Sequence, residues 1–538
     1  MTTPAPAQAP RTGLSEFFSQ RLLPQLGRLK EFTLSPEARP ALVGALGAAM
    51  ITVGGLGAGS TRLHDPLLES MHLSWLRFGH GLVLSSLLLW GGVALMLLAW
   101  LSLGRRVIDR TANEYTMIAT TGFWLTPLLL SVPVFSRDTY SYLAQGALLR
   151  DGFDPYVVGP IDNPNSLLDN VSPIWTTTTA PYGPAFILVA KFVTILVGND
   201  VVAGTMVLRL CMLPGLALLI WAAPKVARHV GANGAAALWI CVLNPLVIVH
   251  LMGGVHNEML MVGLMMAGIA LSFRGHHISG ATLIAVAAAV KVTAGLALPF
   301  MVWVWARGLR DRRGLSPPKA FAAATAAAVL VFVAVFTVLS LVAGVGLGWL
   351  TALAGSVKII NWLTVPTAAS NLINVVGGLF VPVNFYAVLE TARIIGIAVI
   401  GISAPLLWWR FRHTDRDALM GIALLMGVVV LCVPAALPWY YTWPLAIVAA
   451  LAQSRKAIAI IAGLSTWITV IWNPDGAHGM YSWVRVLLSV ACAVGAWYWL
   501  SKTDAAPEPA SGVSNPSPAR DEPPHGPDAN AAHQPGGH

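Results

Sequence analysis

Charged side chains are scarce in this chain of 538 residues, since Asp, Glu, Lys and Arg make up only 11% of it. A soluble domain carries about 25% charged residues. Hydrophobic residues account for 56%, and the mean hydropathy is +0.69. So much apolar surface exceeds what a soluble core buries, whereas lipid can solvate it. The composition excludes an ordinary soluble protein and indicates one large membrane domain.

Cysteine is also scarce, and the four cysteines lie far apart within apolar runs: Cys211, Cys241, Cys432 and Cys492. No two have the spacing of metal ligands, so we expect buried thiols and predict neither a metal nor a cofactor. The net charge of +9 does not indicate nucleic-acid binding, because the basic residues form short clusters between apolar runs.

Long apolar runs are what the chain does contain, and they predict an all-α polytopic membrane protein of about 13–14 transmembrane helices. Several of these runs are shorter than the ~20 residues that a perpendicular helix needs to cross a bilayer. The predicted spans are 41–59, 81–103, 116–134, 202–223, 235–252, 258–273, 279–292, 294–306, 320–346, 385–409, 417–434, 440–453, 457–472 and 482–501.

Three regions follow from this pattern. Residues 1–40 are expected to be a cytoplasmic N-terminal segment, and 41–501 the transmembrane domain. Residues 502–538 are rich in Pro, Ala, Asp and Gly and cannot bury a core, so we expect a disordered cytoplasmic tail. The basic clusters between spans all fall on one side if both termini are cytoplasmic.

Two long segments are then external, 135–201 and 347–384. Within the first, residues 183–198 are apolar enough to resemble a span. Spanning there would place Lys225 and Arg228 outside, against the distribution of basic residues. We therefore predict that 183–198 is a helix that dips into the outer leaflet.

The segment FSRDTYSYLAQG, residues 135–146, lies at the outer end of the third span. Ser136 can cap a helix whose first turn contains Asp138, where the helix dipole favours an ionised carboxylate. Tyr142 and Gln145 follow on the same face. This arrangement suits a general base acting on a sugar hydroxyl. The alternative is a capping aspartate beside an interfacial tyrosine.

Aromatic side chains follow in turn-rich segments. RDGFDPYVVGP contains Tyr156, TAPYGP contains Tyr182, and PWYYTWP contains Tyr440. Aromatic faces stack on sugars, so these three tyrosines are candidate substrate-binding residues. The alternative is a set of rigid turns with an interfacial aromatic belt.

Polar residues also occur where the membrane makes them costly. His256, Asn257 and Glu258 occupy one very short outer loop, which could bind substrate or form a hydrated turn with a capping acid. Their spacing does not suit a metal site. Lys291 interrupts an apolar run, which makes it a functional candidate. It could hold a lipid phosphate as a point charge, or extend to the headgroups.

The order of these motifs resembles that of the GT-C superfamily of polyprenyl-phosphate-sugar-dependent glycosyltransferases. Within it, the chain is similar to the actinobacterial alpha-(1→6)-mannopyranosyltransferase B family over about residues 40–500. The strings that carry the resemblance are SRDTYSYLAQ, RDGFDPYVVGP, APYGP, LNPLVIVHLMGGVHNEMLMVGLM and PWYYTWP. The segment 347–384 contains no motif of that family.

The resemblance implies a GT-C-like bundle whose long first external loop is catalytic. It implies that mannose passes from polyprenyl-phosphate-mannose to a lipid-anchored alpha-(1→6)-mannan during lipomannan and lipoarabinomannan core synthesis, outside the plasma membrane. Asp138 takes the place of the family's first-loop aspartate and acts as the base of an inverting transfer. Lys291, Arg137 and His256 are candidates for holding the departing phosphate.

Other functions stay open at this point. A related transferase could move another sugar such as arabinofuranose, because hydroxyl recognition is not visible in the motifs. A polytopic transporter of lipid-linked sugars would show related halves and helices broken near mid-membrane. No convincing repeat is present, and the polar residues gather at one face. A scaffolding protein would need no carboxylate and lysine at the same leaflet.

Overall fold

The computed structural model describes residues 23–353 and 359–502, and within them it contains helices and no strand. Among the α-helices of seven or more residues, the first nine are α1 (Leu23–Leu34), α2 (Ala38–Ala58), α3 (Gly79–Ile108), α4 (Glu114–Leu128), α5 (Asp138–Arg150), α6 (Pro184–Val197), α7 (Val201–His229), α8 (Gly234–Cys241) and α9 (Glu258–Phe273). The next nine are α10 (His277–Val290), α11 (Leu298–Arg313), α12 (Pro317–Ala343), α13 (Val365–Gly377), α14 (Phe385–Arg410), α15 (Asp415–Cys432), α16 (Thr442–Val448), α17 (Arg455–Ile471) and α18 (Trp483–Ser501).

Seven helical segments are long and apolar enough to cross a membrane: α2, α3, α7, α11 with its 3-10 lead-in, α12, α14 and α18. An eighth is obtained if α8 and the π-helix Leu246–Gly253, which are bent by 50°, count as one span. The fold class predicted from the sequence, an all-α polytopic membrane protein, is therefore confirmed.

The expected count of about 13–14 full spans is larger than this number. Four of the predicted spans form helices of only 15, 16, 14 and 7 residues, namely α4, α9, α10 and α16. Hydropathy registers side chains and does not detect where the backbone leaves the helix. The run 116–134, for example, stops being helical after Leu128, and its last residues lead into a loop junction at the end of the bundle.

Helices approach closely where glycine leaves no side chain between them. A Cβ added to Gly263 of α9 would lie 2.0 Å from the carbonyl oxygen of Gly215 in α7, so backbone meets backbone at this crossing. The same close approach joins α2 to α3, where a Cβ on Gly92 would lie 2.4 Å from the Gly47 carbonyl oxygen. Because α9 begins with Glu258, its packing on α7 fixes the position of that carboxylate.

Loops expected on the outer side meet one another at one end of the bundle. Ser60 donates its backbone N–H to Pro133 at 3.0 Å, and Phe135 donates to Pro474 at 2.7 Å. Val134 also donates to Gly253 at 3.4 Å. Four separate chain segments are thus joined by main-chain hydrogen bonds.

Loops expected on the cytoplasmic side meet one another through ion pairs. Arg228 pairs with Glu114, and Arg307 pairs with Asp415 at 2.6 Å. Both pairs join segments that precede or follow different predicted spans. This grouping is the one that the distribution of basic residues requires; which end faces the cytoplasm stays a prediction.

The remaining boundaries compare with the sequence as follows. Residues 183–198 form α6, whose 14 residues are too few for a perpendicular span. The segment 347–384, expected to be an external loop, contains α13, which the sequence analysis did not predict. Of segment 1–40 the structure describes residues from Leu23 onward, and the predicted tail after residue 502 lies outside the described residues.

Cysteine labelling tests this topology. Ile161 is half exposed in the first predicted external loop, and Asp311 is exposed in a basic predicted cytoplasmic loop. We expect Ile161→Cys to react with a membrane-impermeant maleimide in intact cells, and Asp311→Cys to react only after lysis. The opposite pattern would show that the whole bundle is inverted.

Candidate active site

The structure gathers seven of the residues singled out in the sequence at the end of the bundle where the predicted outer loops meet. They are Asp138, Tyr142, Tyr182, His256, Glu258, Lys291 and Tyr440. These side chains come from five separate parts of the chain, so their proximity is a property of the fold.

A strained turn aims Asp138. Phe135 has φ of +64°, the left-handed region that a bulky residue occupies at a cost of about 1–3 kcal/mol. Its N–H donates to Pro474, and its carbonyl accepts the Trp472 indole N–H at 3.0 Å, so both sides of the turn are held. Ser136 Oγ then accepts the N–H of Asp138 at 3.0 Å, where α5 begins.

A second strained turn aims His256. Val255 also has a left-handed backbone, with φ of +57°. Thr139 on α5 donates its hydroxyl to the Gly254 carbonyl at 2.8 Å and so ties this loop to the helix of Asp138. The imidazole of His256 stacks on Trp439, with ring centroids 3.7 Å apart. The hydrogen bond from Thr139 and the stacking on Trp439 together fix the position of the imidazole.

His256 lies between two carboxylates. Its Nδ1 is 3.8 Å from Asp138 Oδ2, 3.9 Å from Glu258 Oε2 and 3.3 Å from the Tyr142 hydroxyl. Burial lowers the pKa of His256 well below its ordinary value, so the ring is neutral. Oxygen atoms surround Nδ1, which favours the tautomer with its proton on that nitrogen.

Glu258 and Lys291 form an ion pair behind His256. Glu258 is fully buried and Lys291 is 8% exposed. Breaking a buried pair by removing one partner costs roughly 3–5 kcal/mol, because the other charge is left without compensation. The expected alternatives, a hydrated turn at Glu258 and a lysine extended to the headgroups, are both wrong, since the two charges point inward and meet.

Aromatic rings enclose the ammonium of Lys291. Its Nζ is 4.0 Å from the centroid of the Tyr440 ring, 5.2 Å from Trp443 and 5.8 Å from Tyr182. Such cation–π contacts contribute about 0.5–2 kcal/mol each, more where water is excluded. Lys291 lies in extended backbone, between the end of α10 and the 3-10 turn before α11, and this break turns its side chain out of the helix.

Gly183 explains why the Tyr-Gly-Pro segment reaches this site. A Cβ on Gly183 would lie 2.3 Å from the carbonyl oxygen of Ala289, so only glycine allows the contact with the end of α10. Its N–H donates to Val290 at 3.3 Å. The preceding residue, Tyr182, is thereby placed beside Lys291.

The electrostatics of Asp138 differ from the sequence expectation. The helix dipole was expected to favour its ionised form, but burial raises its pKa to about 7. The negative charge of Glu258 adds to the rise, whereas Lys291 and hydrogen bonds from Trp175 and Ser136 oppose it. The sequence does not reveal this burial, which is the largest cause of the rise.

The carboxyl of Asp138 is open to a cavity on one side. A cavity of about 560 Å³ opens beside it, and the carboxyl side chain is 12% exposed there. Its other walls combine aromatic rings, one amide and aliphatic side chains: Trp175, Trp439, Trp472, His478, Tyr481, Asn361, Ile174, Ile359, Ile360 and Leu437. A carboxylate with a pKa near 7 at the wall of such a cavity is suited to take a proton from a bound hydroxyl.

Four predicted site residues have other surroundings. Arg137 lines the cavity, but its guanidinium donates to the carbonyls of Thr61 and Asn170, both at 3.0 Å, and so joins two loops. Tyr156 packs in a separate hydrophobic cluster with Leu149 and Trp349, because the chain turns away after α5.

Gln145 and Asn257 are both buried, and each lies close in the sequence to a residue of the site. Gln145 Oε1 and both amide atoms of Asn257 lack a hydrogen-bond partner within residues 23–353 and 359–502. Buried amides of this kind are costly unless something completes their hydrogen bonds. Asn257 stands between His256 and Glu258, which favours a role in binding substrate.

Sequence reasoning missed several aromatic and polar residues of the site. Trp439 and Trp443 were visible only as part of an interfacial aromatic segment, and Trp175 as one aromatic in a turn. Asn361 lies in a loop far along the chain and carried no signal of its own, whereas His478 belongs to NPDGAHGMYSW, residues 473–483, a short outer loop that could line a lipid-sugar groove or form an aromatic belt. Only the tertiary fold brings these residues to Asp138.

Comparison with known proteins shows that the chain matches two family models. Residues 41–307 match the family model "Alpha-(1->6)-mannopyranosyltransferase, N-terminal domain", and residues 366–502 match the model "MptB C-terminal domain". The unmatched stretch between them, residues 308–365, includes the first half of the segment 347–384, in which the sequence showed no family motif. No solved structure matches the chain.

Curated relatives agree with these matches. The chain is 68% identical to alpha-(1->6)-mannopyranosyltransferase A of Mycobacterium tuberculosis, over 94% of this chain and 97% of the relative. It is 36% identical to the protein of the same name from Corynebacterium glutamicum, over 83% and 95%. It is also 30% identical to alpha-(1->6)-mannopyranosyltransferase B of that bacterium, over 85% and 81%. The resemblance read from the sequence motifs is confirmed, and the chain belongs to the alpha-(1→6)-mannopyranosyltransferase family.

Proposed function

We propose that this multi-pass membrane protein transfers mannose from polyprenyl-phosphate-mannose to a lipid-anchored alpha-(1→6)-mannan. The reaction takes place at the outer face of the plasma membrane and serves lipomannan and lipoarabinomannan core synthesis. Family membership and the printed names of the relatives support mannosyl transfer. The lipid donor, the acceptor and the location rest on the membrane-embedded architecture and on the motif resemblance.

The observation that carries the proposal is the state of Asp138. Its carboxyl is mostly buried, borders a cavity and has a pKa of about 7. Asp138 takes the proton from the acceptor hydroxyl while that oxygen attacks the anomeric carbon of mannose. The bond between this carbon and the phosphate oxygen breaks on the opposite face, and polyprenyl phosphate departs with the bonding electrons. One displacement inverts the anomeric configuration and needs no covalent intermediate.

Lys291 is the proposed cation for the departing phosphate. Its ammonium has three N–H donors, of which Glu258 takes one. Preorganised positive charge near the leaving oxygen stabilises the charge that develops there. Arg137 is a weaker candidate than the sequence suggested, because two carbonyls already occupy its guanidinium.

Binding of the sugar is proposed for the remaining polar and aromatic residues of the cluster. Tyr142, Tyr182 and Tyr440 surround the charged groups, and Asn257 offers two amide atoms without partners in the described chain. His256 holds the two carboxylates apart and keeps its Nε2 available for a sugar hydroxyl. Tyr156 acts indirectly in this account, through the packing of its loop.

A second candidate function, transport of lipid-linked sugars, has one observation in its favour. The 50° bend between α8 and the π-helix Leu246–Gly253 is the kind of broken helix found in transporters. The polar cluster, however, lies at the end of the bundle where the loops meet, which disfavours a transporter.

A related transferase for another sugar would use the same groups. A panel of polyprenyl-phosphate sugars separates mannose from pentose transfer.

Removal of the proposed base should abolish transfer. Asp138→Asn keeps the shape of the side chain but cannot take a proton, and loss of a general base typically lowers the rate about 10²–10⁴-fold. We expect this loss in purified protein, with donor binding close to that of the native chain. Glu390→Gln, an exposed acid on α14 away from the cluster, is the matched control. Full turnover by the asparagine variant would exclude Asp138 as the base.

The pH profile provides an independent test. A base acts when deprotonated, so kcat/KM should rise with pH through about 7, the pKa of Asp138, and level off above it. The residual activity of Asp138→Asn should lack this rise. A profile that is flat between pH 5.5 and 8.5 in the native protein would contradict the assignment.

Lys291 requires a design that separates folding from binding. Lys291→Met alone leaves Glu258 buried without its partner and is expected to destabilise the fold by roughly 3–5 kcal/mol. The double variant Lys291→Met with Glu258→Gln removes both charges and should recover most of that stability in a thermal melt. We expect the double variant to fold and to bind donor much more weakly than Glu258→Gln alone. Equal donor affinity in these two proteins would rule out a phosphate-binding role for Lys291.

A further inference from the structure

Three neighbouring cavities lie at the end of the bundle that carries Asp138. The first contains Asp138 and has a volume of about 560 Å³. Arg137 and Asp475 line both this cavity and a second one of about 650 Å³. Asp169 lines both the second cavity and a third of about 600 Å³. Shared walls make the three cavities consecutive, and the series leads away from Asp138.

We propose that the second and third cavities form a groove for the mannose units of the acceptor that lie beyond the reacting one. This inference rests on the proposed function and assigns the place where the non-reacting units of its mannan acceptor bind. The terminal unit of the acceptor lies at Asp138, and the units before it run past Arg137 and Asp475 towards Asp169.

The charges in the groove disfavour a phosphate. Arg62 and Arg77 both border the second cavity, but each is paired with the buried carboxylate of Asp65, at 2.7 and 3.2 Å. Arg77 also donates to the carbonyl of Arg62 at 3.0 Å. The guanidinium of Arg137 donates hydrogen bonds to two backbone carbonyls. Three guanidinium charges are thus balanced formally by three carboxylates, Asp65 and the cavity-lining Asp169 and Asp475, so this part of the groove has no net positive charge.

The exposed groups of the groove suit hydroxyls. Asp169 and Asp475 are exposed carboxylates, which repel a phosphate but accept hydrogen bonds from sugar hydroxyls. Asn473 adds an amide with donors and an acceptor, and Phe78 an exposed aromatic ring. This mixture of acceptors, donors and one apolar face matches the surface of a neutral polyol.

The size of the groove supports a chain. Each cavity alone lies in the range of about 300–1,000 Å³ that holds a small ligand. One sugar at Asp138 needs only the first cavity, so the other two have no role in binding a short acceptor. Contacts to remote units can position the reacting unit, because binding energy from non-reacting parts of a substrate is used for orientation.

Binding of alpha-(1→6)-mannosides of two, four and eight units to the full-length protein, measured by calorimetry without donor, tests the groove. We expect the Kd of the native protein to fall about tenfold or more from two to eight units, the equivalent of one good additional contact. Asp169→Ala should keep the Kd of the disaccharide and lose most of that gain. Glu390→Gln should match the native protein at every length.

Several results would overturn the groove. These are a Kd independent of length in the native protein, binding of no oligomer, or an Asp169→Ala effect that is equal at all lengths. Displacement of the eight-unit chain by inorganic phosphate would show that the groove binds an anion instead.

A parallel transfer assay with polyprenyl-phosphate-mannose keeps the two proposals distinguishable. Length-dependent binding without transfer would reject the proposed function and retain the groove. Transfer with length-independent binding would reject only the groove.

Discussion

The buried ion pair between Glu258 and Lys291 is the constraint on which the rest of the site depends. Two charges removed from water need each other, and separation of the pair would leave an uncompensated charge inside the bundle. Glu258 begins α9 and Lys291 follows α10, so the pair joins the start of α9 to the end of α10. The aromatic rings of Tyr182, Tyr440 and Trp443 then close around the lysine. Burial is the main cause of the raised pKa of Asp138, and the pair modulates it, because Glu258 adds to the rise and Lys291 limits it.

Backbone irregularities hold the other side of the site. Phe135 and Val255 both adopt left-handed conformations, and they precede Asp138 and His256 by three and one residues. Strain of this kind persists only where the surroundings determine it, here through hydrogen bonds to Pro474 and Trp472. The reacting groups thus sit on helix starts and helix breaks, while the long helices supply a rigid frame. A frame of this type holds the Asp138 carboxyl and the Lys291 ammonium in place.

Much of the fold class and part of the site could be predicted from sequence, for physical reasons that differ between elements. Apolar runs show the membrane helices, but the run 116–134 hides the point where α4 ends, because hydropathy does not record backbone breaks. Asp138 and Lys291 were visible because charge is expensive near lipid. The contacts around them were not visible, because the Glu258–Lys291 pair and the stacking of His256 on Trp439 join segments that are separated in the sequence. Tyr156 was predicted to bind substrate from its motif, yet it packs in a separate cluster, since a motif does not state which way a side chain points.

The central claim is that Asp138 acts as a base in a single displacement on a lipid-phosphate sugar. The anomeric configuration of the newly formed linkage, compared with that of the donor by NMR on the first product, tests this claim most directly. A base that activates the acceptor hydroxyl for attack opposite the phosphate predicts inversion at the anomeric carbon. Retention of the donor configuration would require a second displacement through a covalent or equivalent intermediate, and it would contradict the role assigned to Asp138.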